Sequence, residues 1–235
     1  AATKTNRITL GTGVAISDTR IPPVVAHSIA TINQLAPGRV ILGLGSGHTA
    51  WRAMGMPPAR IDSFKNTVKV CRSLLEGQAT DYYARGRLGK IKFMDTANGY
   101  INIKDSIPIY LAASHPRAQA LAGELGDGII TLNLTDPKIL AANLAHVERG
   151  KNINGRLSQT NRFDVVTLGV CCILQKNERI DSPRVLSRVG PRIAVGLHYA
   201  YEQAKRGKEI PAFVGQHLTQ KYRNFLDNHW DDLHA

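Results

Sequence analysis

Mostly apolar runs typical of β-strands alternate with helical patterns along residues 7–174. Strands that are apolar at successive positions are buried on both faces, and this is typical of a parallel sheet covered by helices. The runs are RITLGTGV (7–14), RVILGL (39–44), IPIYLAAS (107–114), DGIITL (127–132) and FDVVTLGVCCIL (163–174). The pattern predicts an α/β fold, either a doubly wound sheet or a (β/α)8 barrel, with function at the carboxyl ends of the strands.

The helices between these strands carry recognisable start and stop signals. Pro116 fits the first position of a helix that Gly126 ends, and Asp136 fits the N-cap of the next helix. Residues 60–76 predict an amphipathic helix, because five apolar side chains recur on one face: Ile61, Phe64, Val68, Cys71 and Leu75.

We interpret the whole chain, residues 1–235, as a single barrel domain, since nothing in it resembles an interdomain linker. Residues 80–106 are polar and rich in glycine, which predicts an irregular insertion or lid. Residues 176–235 are predicted to be mostly helical.

Composition narrows the function classes. Hydrophobic residues make up 43% of the chain and no apolar run reaches the length of a membrane span, so we expect a cytoplasmic globular protein. The net charge of +12 would attract polyanions, but basic residues are dispersed and aromatic residues are only 6%, which argues against nucleic-acid binding.

The three cysteines form neither a metal-binding spacing nor a disulfide framework. Cys171 and Cys172 are neighbours within a predicted strand, so their side chains should point to opposite faces and pack in a reducing compartment. No His, Asp and Glu cluster has the spacing of metal ligands, so no metal site is predicted.

The segment RVILGLGSGH (39–48) raises the functional question, because three glycines follow a strand at alternate positions. Gly43, Gly45 and Gly47 lack the GxGxxG spacing of dinucleotide-binding folds, and the GxxxxGK[ST] of a P-loop is absent. Neither standard motif is therefore present, and the backbone could approach a phosphate, a flat ring or only the next piece of chain.

Several ordered motifs resemble the bacterial luciferase-like family of flavin- and deazaflavin (F420)-dependent oxidoreductases. They are LGTGV (10–14), TR-x-P (19–22), GR-x-x-LGLGSG (38–47), R-x-x-x-F leading into LLEG (60–77), P-I-Y-x-AAS (108–114) and AGELGDG (122–128). The resemblance covers residues 3–175 and implies a (β/α)8 TIM barrel that is incomplete in this chain, with the first two units and the last strand not seen.

The resemblance also implies a cofactor site at the barrel mouth, beside a non-prolyl cis peptide that corresponds to Gly13–Val14. The cofactor-binding positions that it implies are Gly13, Val14, Gly45, Ser46, Gly47, Ala112, Ala113, Ser114, His115, Leu132 and Asn133. Ala112–His115 would bind a phosphate where a helix begins, although Ser114 could equally cap that helix.

Three further side chains are candidates for catalysis or substrate binding. His48 follows the glycine segment, where the family commonly has an acidic or small residue, and it could hydrogen-bond the substrate or the ring. Arg20 could bind a carboxylate or cap a helix, and Trp51 could line the substrate pocket or pack.

These observations predict an oxidoreductase that transfers a hydride between coenzyme F420 and an organic substrate. Two alternatives stay open: an FMN-dependent luciferase-like monooxygenase, and a shortened flavin-binding relative without activity. The family also implies a homodimer, and the expected partner is a small-molecule substrate rather than a nucleic acid or a membrane.

Overall fold

A computed structural model describes residues 1–94, 96–132, 137–153, 162–205 and 220–229. In chain order the strands are β1 (Leu10–Gly11), β2 (Ala15–Ile16), β3 (Val40–Gly45), β4 (Thr80–Ala84), β5 (Arg87–Ile91), β6 (Ile109–Ala112), β7 (Gly128–Leu132) and β8 (Asp164–Leu168). The helices are α1 (Pro22–Leu35), α2 (His48–Ala53), α3 (Ile61–Leu75), α4 (Pro116–Leu125), α5 (Pro137–Ile153), α6 (Pro183–Lys205) and α7 (Gln220–His229). Two compact units contain them, Ala1–Leu168 and Gly169–Ala235.

The first unit is built on a parallel sheet with the strand order β1-β3-β6-β7-β8, and β2 also pairs with β3. Helices connect successive strands, so the sheet is the parallel half-barrel expected from the alternating sequence pattern. The predicted α/β barrel-type fold class is confirmed by this topology and by the related structures described below.

The core lies between the sheet and its helices. Leu42 and Leu44 of β3 and Leu111 of β6 point to the helices and are at most 1% exposed. From α3, the predicted apolar face supplies Phe64 and Val68, which are fully buried. Burial of each such side chain contributes roughly 1.5–3 kcal/mol to folding, so this helix–sheet layer dominates the stability of the unit.

Helices α4 and α5 approach one another closely because a glycine stands on each at the crossing. A Cβ added to Gly123 would lie 1.9 Å from the carbonyl oxygen of Val147, and one added to Gly150 would lie 1.8 Å from that of Ala120. Any side chain at these positions would force the helices apart.

Residues 80–106 differ from the irregular segment that we expected, because β4 and β5 form an antiparallel hairpin. The segment packs on the helices of the outer layer: the Phe93 ring meets His27 of α1 edge-on at 5.8 Å, and Asn102 N–H donates to Ala30 O. A role for this segment as a lid stays a prediction.

Residues 169–175 also differ from the expectation, because β8 ends at Leu168 and not at residue 174. The chain beyond Gly169 is irregular until α6 begins at Pro183. In this second unit the Tyr201 hydroxyl donates to Asp227, which ties α6 to α7. Within the described ranges, no helix is long and apolar enough to cross a membrane.

Candidate cofactor site at the carboxyl edge of the sheet

The carboxyl ends of the parallel strands meet at one edge. The register pairs Ile16 with Gly45, Leu44 with Leu111, and Ala112 with Ile130, and it continues to Leu132 beside Leu168. Because every pair is parallel, the segments that follow these strands leave the sheet on the same side. The sequence-predicted positions after β2, β3, β6 and β7 are therefore neighbours.

Direct contacts confirm that three of the predicted segments touch. A Cβ placed on Gly45 would lie 2.7 Å from Val14 Cγ2 and 3.4 Å from Ala112 Cβ. The Gly13–Val14 peptide is cis, as the family resemblance implies. Val14, Gly45 and Ala112 thus form one small apolar patch at the edge.

The alternating glycines face another part of the chain. A Cβ on Gly43 would lie 2.0 Å from the carbonyl oxygen of Thr12, and one on Gly47 would lie 2.1 Å from Ile16 Cγ2. With Val14 against Gly45, each glycine meets one residue of the 12–16 segment. The spacing is explained by chain packing alone, whereas contact of Gly45, Ser46 and Gly47 with a cofactor stays a prediction.

A β-bulge lies between β1 and β2. Gly11 pairs with Ile41 and Ala15 pairs with Leu44, so the segment from β1 to β2 contains one more residue than β3 over the same interval. The Thr12 hydroxyl donates to Gly43 O at 2.7 Å and fixes the bulged strand on β3. Sequence reasoning missed this role for Thr12, because an extra residue is visible only against its partner strand.

The start of α4 presents free donors at the same edge. Pro116 occupies the first turn, and the first helical bond runs from Gln119 N–H to His115 O. The N–H groups of Arg117 and Ala118 therefore have no partner within the helix. His115 is the N-cap and its side chain makes no capping bond, so the alternative role predicted for Ser114 as the capping residue is wrong.

The hydroxyl of Ser114 is exposed and has no hydrogen-bond partner among the described residues. Ala113, by contrast, is 3% exposed and its N–H donates to Ile130 O. Ala113 therefore offers a ligand neither its side chain nor its amide. Leu132 ends β7 at this edge, and Asn133 lies outside the described residues.

The three candidate side chains differ in exposure. His48 is exposed at the start of α2, and Arg20 is exposed just beyond β2. Trp51 is buried in α2, and its backbone N–H donates to Gly47 O. Contacts of Arg20, His48 and Trp51 with a substrate stay predictions.

Two buried polar atoms near this edge have no hydrogen-bond partner in the described part of the chain, the Ser17 hydroxyl and Trp51 Nε1. Ser17 follows β2, is 1% exposed, and donates its N–H to Gly45 O. Sequence reasoning missed Ser17, because nothing in its neighbourhood distinguishes it from a surface serine.

At the amino ends of the strands, in contrast, polar side chains bond to one another and to the main chain, although Arg72 Nε has no hydrogen-bond partner among the described residues. Asp127 accepts from Ile109 N–H at 2.8 Å and pairs with Arg72 of α3 at 2.7 Å. The Tyr110 hydroxyl donates to Asp164. The pKa of Tyr110 is raised to about 12, chiefly by burial and secondly by this hydrogen bond. These contacts tie strands and helices together and leave the free donors at the carboxyl edge.

Among the described residues, no group of three or more His, Cys, Asp or Glu could hold a metal ion.

Comparison with protein families finds a match over residues 1–229 to the family described as luciferase-like monooxygenase. A 5,10-methylenetetrahydromethanopterin reductase of Archaeoglobus fulgidus is 31% identical over 199 residues, which are 83% of this chain and 55% of that protein. An F420-dependent glucose-6-phosphate dehydrogenase of Beutenbergia cavernae is 38% identical over 141 residues, 55% of this chain and 39% of that protein. The chain thus spans about half the length of the curated relatives that it matches.

Solved structures give the same fold. The coenzyme F420-dependent tetrahydromethanopterin reductase of Methanopyrus kandleri is 25% identical, with a TM-score of 0.57 over 80% of this chain and 61% of that one. A type II Baeyer-Villiger monooxygenase of Pseudomonas putida, in complex with FMN, is 14% identical, with a TM-score of 0.63 over 89% of this chain and 63% of that one. At that identity the second likeness concerns the fold alone.

Proposed function

Because the chain belongs to the luciferase-like monooxygenase family, we propose that it is an oxidoreductase that transfers a hydride between coenzyme F420 and an organic substrate. The observation that carries the proposal is the meeting of Val14, Gly45 and Ala112 at the edge where α4 presents free donors. F420 is printed in the names of two proteins reported above, the Beutenbergia cavernae dehydrogenase and the Methanopyrus kandleri reductase, and this supports F420 as the cofactor, while FMN enters through a structure that shares only the fold.

The residues at this edge fit such a cofactor. The free N–H groups of Arg117 and Ala118, together with the exposed Ser114 hydroxyl, are donors suited to an anionic tail at a positive helix end. The apolar patch of Val14, Gly45 and Ala112 suits the face of a ring. In this arrangement Gly13, Ser46, Gly47, His115 and Leu132 would border the cofactor.

When bound, F420 supplies hydride transfer at its ring, and the protein supplies position and electrostatics. Arg20 would attract an anionic part of the substrate. His48 would take up or deliver the proton that accompanies the hydride, since histidine is the side chain that most often serves as a general acid or base.

Optical titration of the purified protein with F420 and with FMN tests the cofactor. We expect F420 to bind and Ser114→Ala to weaken that binding about tenfold, which is the effect of one lost bond to a charged group. Ser28→Ala is the matched control, because the Ser28 hydroxyl bonds only to Val24 O of its own helix. Binding of FMN without F420 would favour the monooxygenase, and binding of neither to a folded chain would refute the proposal.

The activity is tested by following F420 absorbance with glucose 6-phosphate, the candidate hydride donor that is named for one relative reported above. His48→Gln should lower the turnover rate while F420 affinity stays within about twofold, and the pH dependence of the rate should flatten. His146→Gln is the control, a half-buried histidine of α5 whose Nδ1 lies 3.4 Å from Arg149 Nη1. Equal rates for both variants would remove His48 from the mechanism.

A further inference from the structure

The adjacent cysteines at 171 and 172 are not packed as the sequence pattern predicts. They lie in the irregular segment after β8, where Cys171 is exposed, Cys172 is half-buried, and both are free thiols. Cys71 shows the contrast: it is buried in α3, its Sγ lies 3.5 Å from Pro22 O, and burial raises the pKa of its thiol to about 12. Of the three thiols, those of Cys171 and Cys172 are therefore the two that reagents can reach in the folded chain.

Of the two cysteines, Cys172 lies among contacts that connect it to the start of α6. Cys172 Sγ and Arg184 Nη2 both approach the carbonyl oxygen of Ile173, at 3.9 Å and 2.9 Å. Arg184 is itself fixed, because its Nε donates to Glu178 Oε1 at 2.8 Å. The pKa of Arg184 is raised chiefly by that bond to Glu178, with Cys172 among the smaller causes. The thiol of Cys172 is thus anchored to the start of α6, and Cys171 stands next to it in solvent.

Because Cys171 and Cys172 are adjacent in the sequence, the geometry of any bond between their sulfur atoms is constrained. Their Cα atoms lie about 3.8 Å apart across a trans peptide, whereas disulfides usually span about 4.4–6.8 Å between Cα atoms. A disulfide between Cys171 and Cys172 would therefore be strained. One larger soft atom that bonds both sulfurs, with bonds of about 2.3 Å like those of zinc thiolates, relieves that constraint because the sulfurs need not touch.

We infer that Cys171 and Cys172 form a two-thiol site for trivalent arsenicals. In the reaction of the two thiols with an R–As=O reagent, both S–H bonds break and two As–S bonds form. The oxygen of the reagent leaves as water, which carries the two protons. Arsenic stays trivalent, so no oxidant or reductant is required. The irregular backbone of 169–175 permits the two side chains to turn to the same side, which a strand would prevent.

Phenylarsine oxide added to the full chain, followed by intact mass measurement, tests the site. We expect one phenylarsenic group per chain, with the loss of one water per adduct. The adduct should survive an excess of 2-mercaptoethanol and be removed by 1,2-ethanedithiol, because a chelating dithiol competes where a monothiol does not. Peptide mapping should place it on the peptide that contains both cysteines.

The single variants Cys171→Ser and Cys172→Ser should each lose the adduct in 2-mercaptoethanol, with retention at least tenfold below that of the unchanged chain. Circular dichroism checks that both variants fold, as the exposure of the pair predicts. Retention of the adduct by either serine variant, or its loss from the unchanged chain in the monothiol, would overturn the inference.

Discussion

Replacing Gly43 by alanine tests whether the glycines of 43–47 are required for packing between chain segments. The new Cβ would lie 2.0 Å from the carbonyl oxygen of Thr12, where a separation of at least 3.0 Å is needed. The main chain at Thr12 must therefore move by about 1 Å or more, since a carbonyl cannot rotate away as a side chain can. Overpacking of this kind costs about 1–3 kcal/mol, and we expect the upper end because main chain is displaced.

Gly45 allows a sharper version, because its neighbour is a side chain. Alanine at this position would bring its Cβ to 2.7 Å from Val14 Cγ2, so we expect a cost of about 1–2 kcal/mol. In the background of Val14→Ala the obstructing methyl group is absent and most of that cost should vanish. The double-mutant cycle should therefore give a coupling energy of about 1 kcal/mol or more.

Urea unfolding followed by circular dichroism measures the change in the free energy of unfolding caused by these substitutions, all of which lie in the unit formed by residues 1–168. With a slope of about 2 kcal/mol per molar urea, a loss of about 3 kcal/mol moves the midpoint by about 1.5 M. Gly11→Ala is the matched control, since its Cβ would meet Ile41 at an ordinary 3.6 Å. If Gly43→Ala unfolds like Gly11→Ala, or if the Gly45 and Val14 changes are additive, the packing explanation is wrong.

Two further predictions concern packing and charge away from the site. Gly150→Ala, whose Cβ would lie 1.8 Å from Ala120 O, should lower the thermal midpoint by several degrees, whereas Gly190→Ala, with nothing within 4 Å, should not; equal midpoints would contradict the close helix crossing. The hydrogen bond from Arg184 lowers the pKa of Glu178 from 4.5 to about 2, so the stability from this group is present above pH 4.5 and is lost as the pH falls toward 2. Glu178→Gln should flatten that acid limb in urea unfolding at stepped pH, and unchanged slopes would refute the linkage.

The layer of strands and helices could be predicted from the sequence because burial on both faces leaves a continuous apolar signal. Leu42, Leu44 and Phe64 are buried as their periodicity requires. The hairpin at 80–91 escaped prediction for a local reason. Its two-residue turn is Arg85–Gly86, both with positive φ, whereas the usual signal for such a turn is Asn-Gly or Asp-Gly.

The close approach at the glycine segment could be predicted from the sequence, but its cause could not. Glycines at alternate positions after a strand indicate a close approach, yet the partner is a segment about thirty residues earlier that reaches them through a one-residue bulge. Such a register shift leaves no mark in the sequence of either strand alone. For the same reason the buried hydroxyl of Ser17 could not be found by pattern.

The two edges of the sheet differ in whether their polar groups are already hydrogen-bonded within the protein. At the amino edge, Arg72 pairs with Asp127 and the Tyr110 hydroxyl donates to Asp164, so removal of one partner leaves the other polar group without its hydrogen bond and costs stability. At the carboxyl edge, the N–H donors at the start of α4 lack partners within the helix, so a ligand anion bound there would not displace a helical hydrogen bond. A change such as Ser114→Ala should therefore alter ligand affinity and leave the unfolding free energy nearly unchanged, and this separation distinguishes a binding edge from a structural one.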